Sequence, residues 1–483
     1  MKDDFDVASR VFTRGFLLSQ ESAGDLRYKL TSGPYGENLA KWTQTYFGPC
    51  SLWVDPLLNY ARTAEGRFGV GVMGLCINPF DGLCNNQDIA TALYKALHAG
   101  RDRFFDYVDQ LTGAFVIIYR DNADVFVLQD TAATKPVYYH RSQEGRLTAA
   151  SHAAIVQRIH DLEPDPRAEA VYSSEAYKKD PSRYLPGLVT PYAGLLPLTA
   201  NNQLDVSNGC SRRFFPREAL APRAFDDKIV DEIAEIMLSQ ARIIGSLDRP
   251  LTLAATGGRD SRVSAVTFSG QPRLSYYSFH MPSINHLTED VDIARKLAKI
   301  EGVPLDVYEL ETYKDAAFGK AFKAHSPRGI WPAAALCYLR EFQPDAIHIR
   351  STVSEIGRVF YSKRTSKSVT PEVLAGTYTR TEFRHESLVQ EAMRDFIKLT
   401  NFDVSQFFNY DLYDMFYWEH RNSKWQNILC AEAEMATDVF VPFNNRKLLQ
   451  LFMSVPYRNR LEADIHLALC KRFKPEFSDI EIA

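Results

Sequence analysis

The chain has 483 residues, of which 45% are hydrophobic and 24% charged, with a formal net charge of −4. That length allows two or three domains with ample core, and the near-balanced charge argues against non-specific nucleic-acid binding, which needs an excess of cations. No apolar run approaches the ~20 residues of a membrane span, and the opening MKDDFDVASR is acidic, without the apolar core of a signal peptide, so a cytoplasmic protein with no membrane partner is expected.

The seven cysteines are scattered over a long chain and read as reduced thiols. Cys76 and Cys84 have no companion histidine or second Cys-x-x-Cys, so no zinc site is expected. Internal repeats and low-complexity tracts are absent, and aromatic residues crowd Phe402–Trp425.

Phe68–Ile77 is apolar and glycine-bearing. Gln87–His98 has helical spacing, with Ile89, Leu93 and Leu97 on one face. Phe104–Leu111 reads as another helix. Gly113–Tyr119 (GAFVIIY) and Asp124–Gln129 (DVFVLQ) read as strands joined by a hairpin turn over Arg120–Ala123. Thr131–Tyr139 and Leu147–Ser151 read as further short strands. Tyr184–Pro197 and the Asn-rich, polar Thr199–Ser211 carry linker signals, followed by Pro216 and Pro222.

Beyond the linker, Phe225–Ser246 predicts an amphipathic helix with Ile229, Ile233, Ile236, Met237 and Ala241 on one face. Pro250–Ala255 predicts a buried strand, and Arg262–Phe268 a helix after it. Leu274–Met281 and Leu305–Leu310 predict two more strands. Between them Thr288–Glu301 predicts a helix, capped by Thr288 and stopped by Gly302. Strands alternating with helices imply a parallel, doubly wound sheet, whose ligands bind at the carboxyl ends of the strands. Ala346–Tyr361 reads as a strand, a turn and a helix.

Leu251–Arg262 (LTLAATGGRDSR) organises this half. A strand runs into Thr256-Gly257-Gly258, and a helix begins just beyond. Adjacent glycines let the backbone approach an anion closely, and the amides at a helix start favour negative charge. Thr256 and Ser261 offer hydroxyls to phosphate oxygens. Asp260 would repel a phosphate if it acted alone, so it makes sense as a Mg2+ ligand. A Walker A loop is absent, and an empty strand–helix turn is the plain alternative.

The order hydroxyl-Gly-Gly-x-Asp-Ser resembles the pyrophosphate loop of the asparagine synthetase family, a branch of the N-type ATP pyrophosphatases. Gly113–Tyr119, Asp124–Asp130 and Lys135–Tyr139 resemble, in order, the end of that family's class II glutamine amidotransferase domain. The resemblance implies an α/β protein with residues 1–215 as an Ntn-hydrolase-like αββα sandwich. It implies residues 225–483 as an ATP pyrophosphatase domain with added helices. The family's glutaminase uses an N-terminal cysteine as nucleophile, its own amine acting as base; here no cysteine precedes Cys50. The resemblance is therefore nearer the β-lactam synthetases and lasso-peptide cyclases, which take an amine directly.

The resemblance implies ATP and Mg2+ as cofactors, held by Ala255, Thr256, Gly257, Gly258, Asp260, Ser261 and Met281, with Met281 near the adenine. It assigns catalysis to Asp260 and Glu355, and the metal to Asp260. Glu355 matches the Glu of the family's second phosphate loop. Ser354 stands where its metal-binding Asp is expected, and Ser351 and Val353 replace its glycines. Asp290 falls in the family's second helix, though an amphipathic surface position explains it as well. Val441–Arg446 resembles the family's RVPFLD segment. The family's late lysine has no match: Lys471 and Lys474 are the only nearby cations.

The expected activity is an ATP-dependent carbon–nitrogen ligase that releases AMP and pyrophosphate in natural-product biosynthesis. Its substrate would be a small-molecule or peptide carboxylate with an amine, and a homo-oligomer is compatible. Two alternatives are ammonia-dependent amidation of a small or uronic acid, and a non-catalytic nucleotide- or partner-binding protein. Glu419, His420, Arg421 and Lys424 read as a buried polar network, with a substrate role as the alternative.

Overall fold

The structure is a computed structural model that describes residues 6–480 except 181, 328, 365 and 479; the side chains of 285, 286, 288 and 478 also lie outside the description. The first part holds two six-stranded antiparallel sheets. One runs in the order Leu196–Pro197, Tyr138–Arg141, Leu147–Ala150, Phe16–Ser19, Cys50–Val54, Thr43–Phe47. The other runs Cys210–Arg213, Asn202–Asp205, Asp124–Gln129, Thr112–Asp121, Phe68–Ile77, Tyr60–Glu65.

Three buried clusters define the layers. Phe16, Leu18, Leu52 and Val54 meet Val116, Ile118, Val125 and Val127 between the sheets. Ile117, Tyr119, Phe126 and Leu128 point the other way, onto Ile89, Leu93, Leu97 and Phe104 of the helices Asn86–Ala99 and Arg101–Val108. Leu17 and Trp53 meet Leu26, Leu30, Val156 and Ile159 of Ala23–Thr31 and Ala153–His160. Helix, sheet, sheet, helix is the resulting stack. Covering both faces explains why GAFVIIY is apolar throughout rather than alternating. The hairpin is tighter than expected: Asp121 pairs directly with Asp124, and Asn122 takes the left-handed conformation at φ 60°.

Two expectations for this part need correction. Thr131–Tyr139 is not a strand until Tyr138. Asp130 accepts the Thr134 and Lys135 amides at 2.8 and 2.9 Å, an arrangement that competes with strand pairing. The polar stretch 199–211 is no free linker: Asn202–Asp205 pairs with Asp124–Gln129 and extends the second sheet.

The later part holds a parallel five-stranded sheet in the order Leu305–Glu309, Leu274–His280, Leu251–Ala254, Ile347–Ile349, Asp438–Phe440. The chain winds outward from Leu251–Ala254 in one direction and resumes on its other side at Ile347–Ile349. The switch point therefore lies between these two strands, where loops part and ligands bind in such sheets. The helix Asp227–Gly245 is capped by Asp226, whose carboxylate accepts the Ile229 amide at 3.1 Å. The helix after the second strand is Asn285–Glu301, closed by Gly302 at φ 73°. It starts before Thr288, whose proposed capping side chain lies outside the described residues.

The helix after the glycine turn is Arg259–Thr267, three residues earlier than expected. Ser261 Oγ donates back to the carbonyls of Gly258 and Thr256 at 2.9 and 3.0 Å, which lets the first turn start at Arg259. After Ile347–Ile349 comes a single 3-10 turn, Ser354–Ile356, not the expected helix. Val353 is held at φ 79°, a region costly for a β-branched residue, by about 1–3 kcal/mol, and the helical path is broken there.

The two parts share one continuous core. Lys135 Nζ meets Glu434 at 2.8 Å and Arg446 meets Asp109 at 2.8 Å, all four side chains nearly sealed from solvent. Asn444 and Asn445, in the Val441–Arg446 segment, donate to Asp130 and Thr112 at 2.7 and 2.9 Å.

Candidate functional site

Both loops at the switch point converge on Asp260. Its carboxylate accepts from the Ser354 hydroxyl, lies 3.2 Å from His466 Nε2 and 3.4 Å from Arg358 Nη2. His466 also reaches Ser354 Oγ at 3.1 Å. Burial by itself would raise the Asp260 carboxyl, but the hydrogen bond and charge of His466, the Arg358 guanidinium and Ser354 together hold it below its ordinary value. Asp260 is thus ionised at neutral pH. Glu355, beside it, behaves oppositely: burial and then the Asp260 charge push its carboxyl up to about 7. Glu355 Oε2 is buried and has no hydrogen-bond partner among the described residues.

The glycine turn has a bare face. Gly258 takes φ −66° and ψ 149°, a conformation open to any residue. A Cβ built there would meet only Thr256 Oγ1 at 3.4 Å and Ser261 Oγ at 3.9 Å. Neither backbone strain nor packing requires glycine here; what suits it is its place as N-cap of Arg259–Thr267 and the open space it leaves over the turn. The Gly257 amide donates to Asp290 Oδ1 at 2.6 Å, and the Gly258 amide reaches Thr256 Oγ1 at 3.3 Å. Asp290, which reads from sequence as an ordinary helix surface position, thus reaches the turn with its carboxylate. Thr256 and Ser261 pair hydroxyl to hydroxyl at 2.8 Å. Ala255 is fully buried, its amide bonded to the Tyr277 carbonyl at 2.9 Å.

A cavity of about 360 Å3 opens beside the turn. Thr256 and Asp290 border it; Phe279, Trp331, Trp425 and Leu429 supply apolar wall. Met281, partly buried against the core, is not among its lining residues, whereas Phe279 and Leu287 are. Arg350, the residue after the fourth-visited strand, also faces the cavity.

The aromatic-rich segment forms a ten-residue π-helix, Tyr417–Gln426, a geometry frequent at functional sites. Of Glu419, His420, Arg421 and Lys424, three are structural, as the network reading expects. Glu419 pairs with Arg213 at 2.5 and 2.6 Å, His420 accepts the Gly187 amide at 2.9 Å, and Lys424 donates to the Val189 carbonyl. Arg421 differs. It stacks over Phe360 at 4.9 Å and Trp425 at 4.8 Å, with no described carboxylate in an ion pair.

Arg358, His466 and Arg350 escaped the sequence reading. Arg358 lies one turn beyond Glu355 and could have been suspected; His466, on the helix Asp464–Phe473, carries no local signal. Lys474 instead pairs with Glu301 at 2.6 Å.

No family model matches the chain, and no curated protein matches it. Among solved structures, similar chains include the allosteric regulatory enzyme of purine biosynthesis and the glutamine phosphoribosylpyrophosphate amidotransferase from B. subtilis complexed with ADP and GMP. Each shows 9% identity and a TM-score of 0.24, over 80% of this chain and 74% of the other. At that score the function has to be argued from the chain's own residues.

Proposed function

We propose that the chain is an ATP-dependent ligase that joins a carboxylate to an amine through an acyl-adenylate. The observation that carries this reading is the bare Gly258 face at the switch point, two residues from an ionised Asp260 held by the second loop. The diphosphate end of ATP would take the Gly257 and Gly258 amides, with Asp290 moving off Gly257. One oxygen of the substrate carboxylate attacks the α-phosphorus, and pyrophosphate leaves. The amine then attacks the acyl carbon, a C–N bond forms, and AMP departs with the bridging oxygen.

A magnesium ion fits the acidic pair. Among the described residues no three His, Cys, Asp or Glu side chains cluster to hold a metal by themselves, so a cation here would share its shell with phosphate and water, as Mg2+ prefers. Among the described residues Glu355 Oε2 lacks a partner, and burial and then the Asp260 charge disfavour its ionised form, a strain that a cation held by the pair would relieve. Asp260 and Glu355 would hold it, and it would offset charge gathering on the departing diphosphate. Arg358 and His466 keep Asp260 ionised and aimed.

The test is exchange of labelled pyrophosphate into ATP across a panel of carboxylates. Exchange that depends on the acid, and its loss in Asp260→Ala, is the expected result; no exchange with any acid would end the ligase reading. Product mass then separates ring closure, which loses one water within one molecule, from capture of free ammonia. One observation favours the second reading, a binding protein without chemistry: the Asp260 charge is already balanced by Arg358 and the Gly257 amide already taken by Asp290. MgATP binding without exchange would support it.

A further inference from the structure

Four buried guanidinium groups hold carboxylates: Arg14 with Asp438, Arg213 with Glu419, Arg446 with Asp109 and Arg460 with Asp414, at 2.5–2.8 Å. That is what burial demands, because an unpaired buried charge is costly. Arg350, partly exposed at the cavity wall, has no such partner. Among the described residues its side chain makes one hydrogen bond, a long one of 3.3 Å from Nη1 to Tyr338 Oη. Nε is sealed from water and unpartnered, and no described carboxylate forms an ion pair with it. The two acids that line the cavity are engaged elsewhere: Glu432 accepts the amides of Ile330 and Trp331 at 2.5 and 3.1 Å, and Asp290 accepts the Gly257 amide at 2.6 Å. Burial pushes the Glu432 carboxyl up to about 7, so near neutral pH it carries only part of its charge.

This guanidinium faces the 360 Å3 cavity, a volume suited to a small molecule. Phe279, Trp331 and Trp425 offer flat apolar wall. Arg421, also without a described carboxylate, stacks on the same Trp425. A guanidinium carries five donors in a rigid fork matched to carboxylate and phosphate, and here most of the fork is unmet.

We infer that the cavity is an anion receptor, taking a small molecule with a flat or apolar body whose single acidic group is bound by Arg350. Carboxylate and phosphate share that chemistry, so the acid could come from an organic carboxylate or a nucleoside monophosphate. The inference stands on the cavity and its uncompensated cation, independently of whether adenylation occurs.

The two partly exposed tryptophans of the cavity make fluorescence its reporter; Trp42, Trp53 and Trp418 are buried elsewhere. The full chain is titrated with two matched pairs, AMP against adenosine and phenylacetate against phenylacetamide. The charged member of at least one pair should bind about tenfold tighter than its neutral twin, a 1.4 kcal/mol preference. Arg350→Gln should bring that ratio to about 1, and Arg350→Lys should keep part of it, since a point charge cannot replace the bidentate fork. Preference for AMP identifies phosphate; preference for phenylacetate identifies carboxylate. Equal binding within both pairs, no binding by either, or a ratio unmoved in a folded Arg350→Gln protein would overturn the inference. Pyrophosphate exchange without charge preference sinks the receptor alone, and charge preference without exchange sinks the ligase alone.

Discussion

Gly258→Ala separates a ligand-binding turn from a structural one. Alanine suits φ −66° and ψ 149°, and its methyl would meet two hydroxyl oxygens at ordinary contact distance, 3.4 and 3.9 Å. Reduced unfolded-state freedom favours the variant by about 0.4–1 kcal/mol. Loss of glycine at the helix N-cap opposes this by a similar amount, because alanine caps poorly. Stability should therefore hold within about 1 kcal/mol, read by urea unfolding. The methyl nonetheless occupies the space over the turn. If it displaces one charge-assisted amide–phosphate hydrogen bond worth about 1.5–3 kcal/mol, pyrophosphate exchange falls about 10- to 150-fold in kcat/KM at ~1.4 kcal/mol per decade. A stable variant exchanging within about twofold of the parent would refute diphosphate binding at this turn. A variant that unfolds readily would show that the glycine serves the fold.

Other outcomes follow from buried charges and thiols. Lys135→Met should cost about 3–5 kcal/mol by stranding the Glu434 carboxylate, whereas Lys135→Met with Glu434→Leu should recover most of it; unfolding of the three proteins gives the coupling, and an additive double variant would contradict it. Glu432, raised in the folded state to about 7 from 4.5, binds more protons folded than unfolded. Its contribution is therefore present at pH 4.5 and lost as pH rises to 7, by up to about 3 kcal/mol. Glu432→Gln should flatten the pH dependence of unfolding across that window. The Cys50 thiol, pushed up to about 12 by burial, should resist iodoacetamide at pH 8 in the folded protein, while exposed Cys210 is alkylated first; mass mapping of the adducts decides.

Elements with strong local periodicity were legible in the sequence alone. The apolar stripe of Asp227–Gly245, the GAFVIIY–DVFVLQ hairpin and the alternation of strand and helix around the glycine turn all follow from local spacing and capping. Where sequence reading failed, a distant contact overrode a local preference. Thr131–Val137 has strand-like composition, but Asp130 and the facing Asn444 hold it as a turn. The polar stretch 199–211 reads as a linker until Asp124–Gln129 offers it an open sheet edge. Ala346–Tyr361 promises a helix that Val353 interrupts.

The site divides along the same line. Thr256–Ser261 and Glu355 could be chosen from their residue types and from a turn that breaks an apolar strand. The groups that hold Asp260 ionised could not, since Ser354 is 94 residues away and His466 lies on the far side of the chain, near its last helices. Arg350 shows it most plainly. Its identity is written in one letter, yet whether an arginine is a solvated surface charge or an unpaired cation in a cavity depends on which carboxylates the fold brings within reach. Burial and charge pairing are properties of neighbours in space, and only the folded chain selects them.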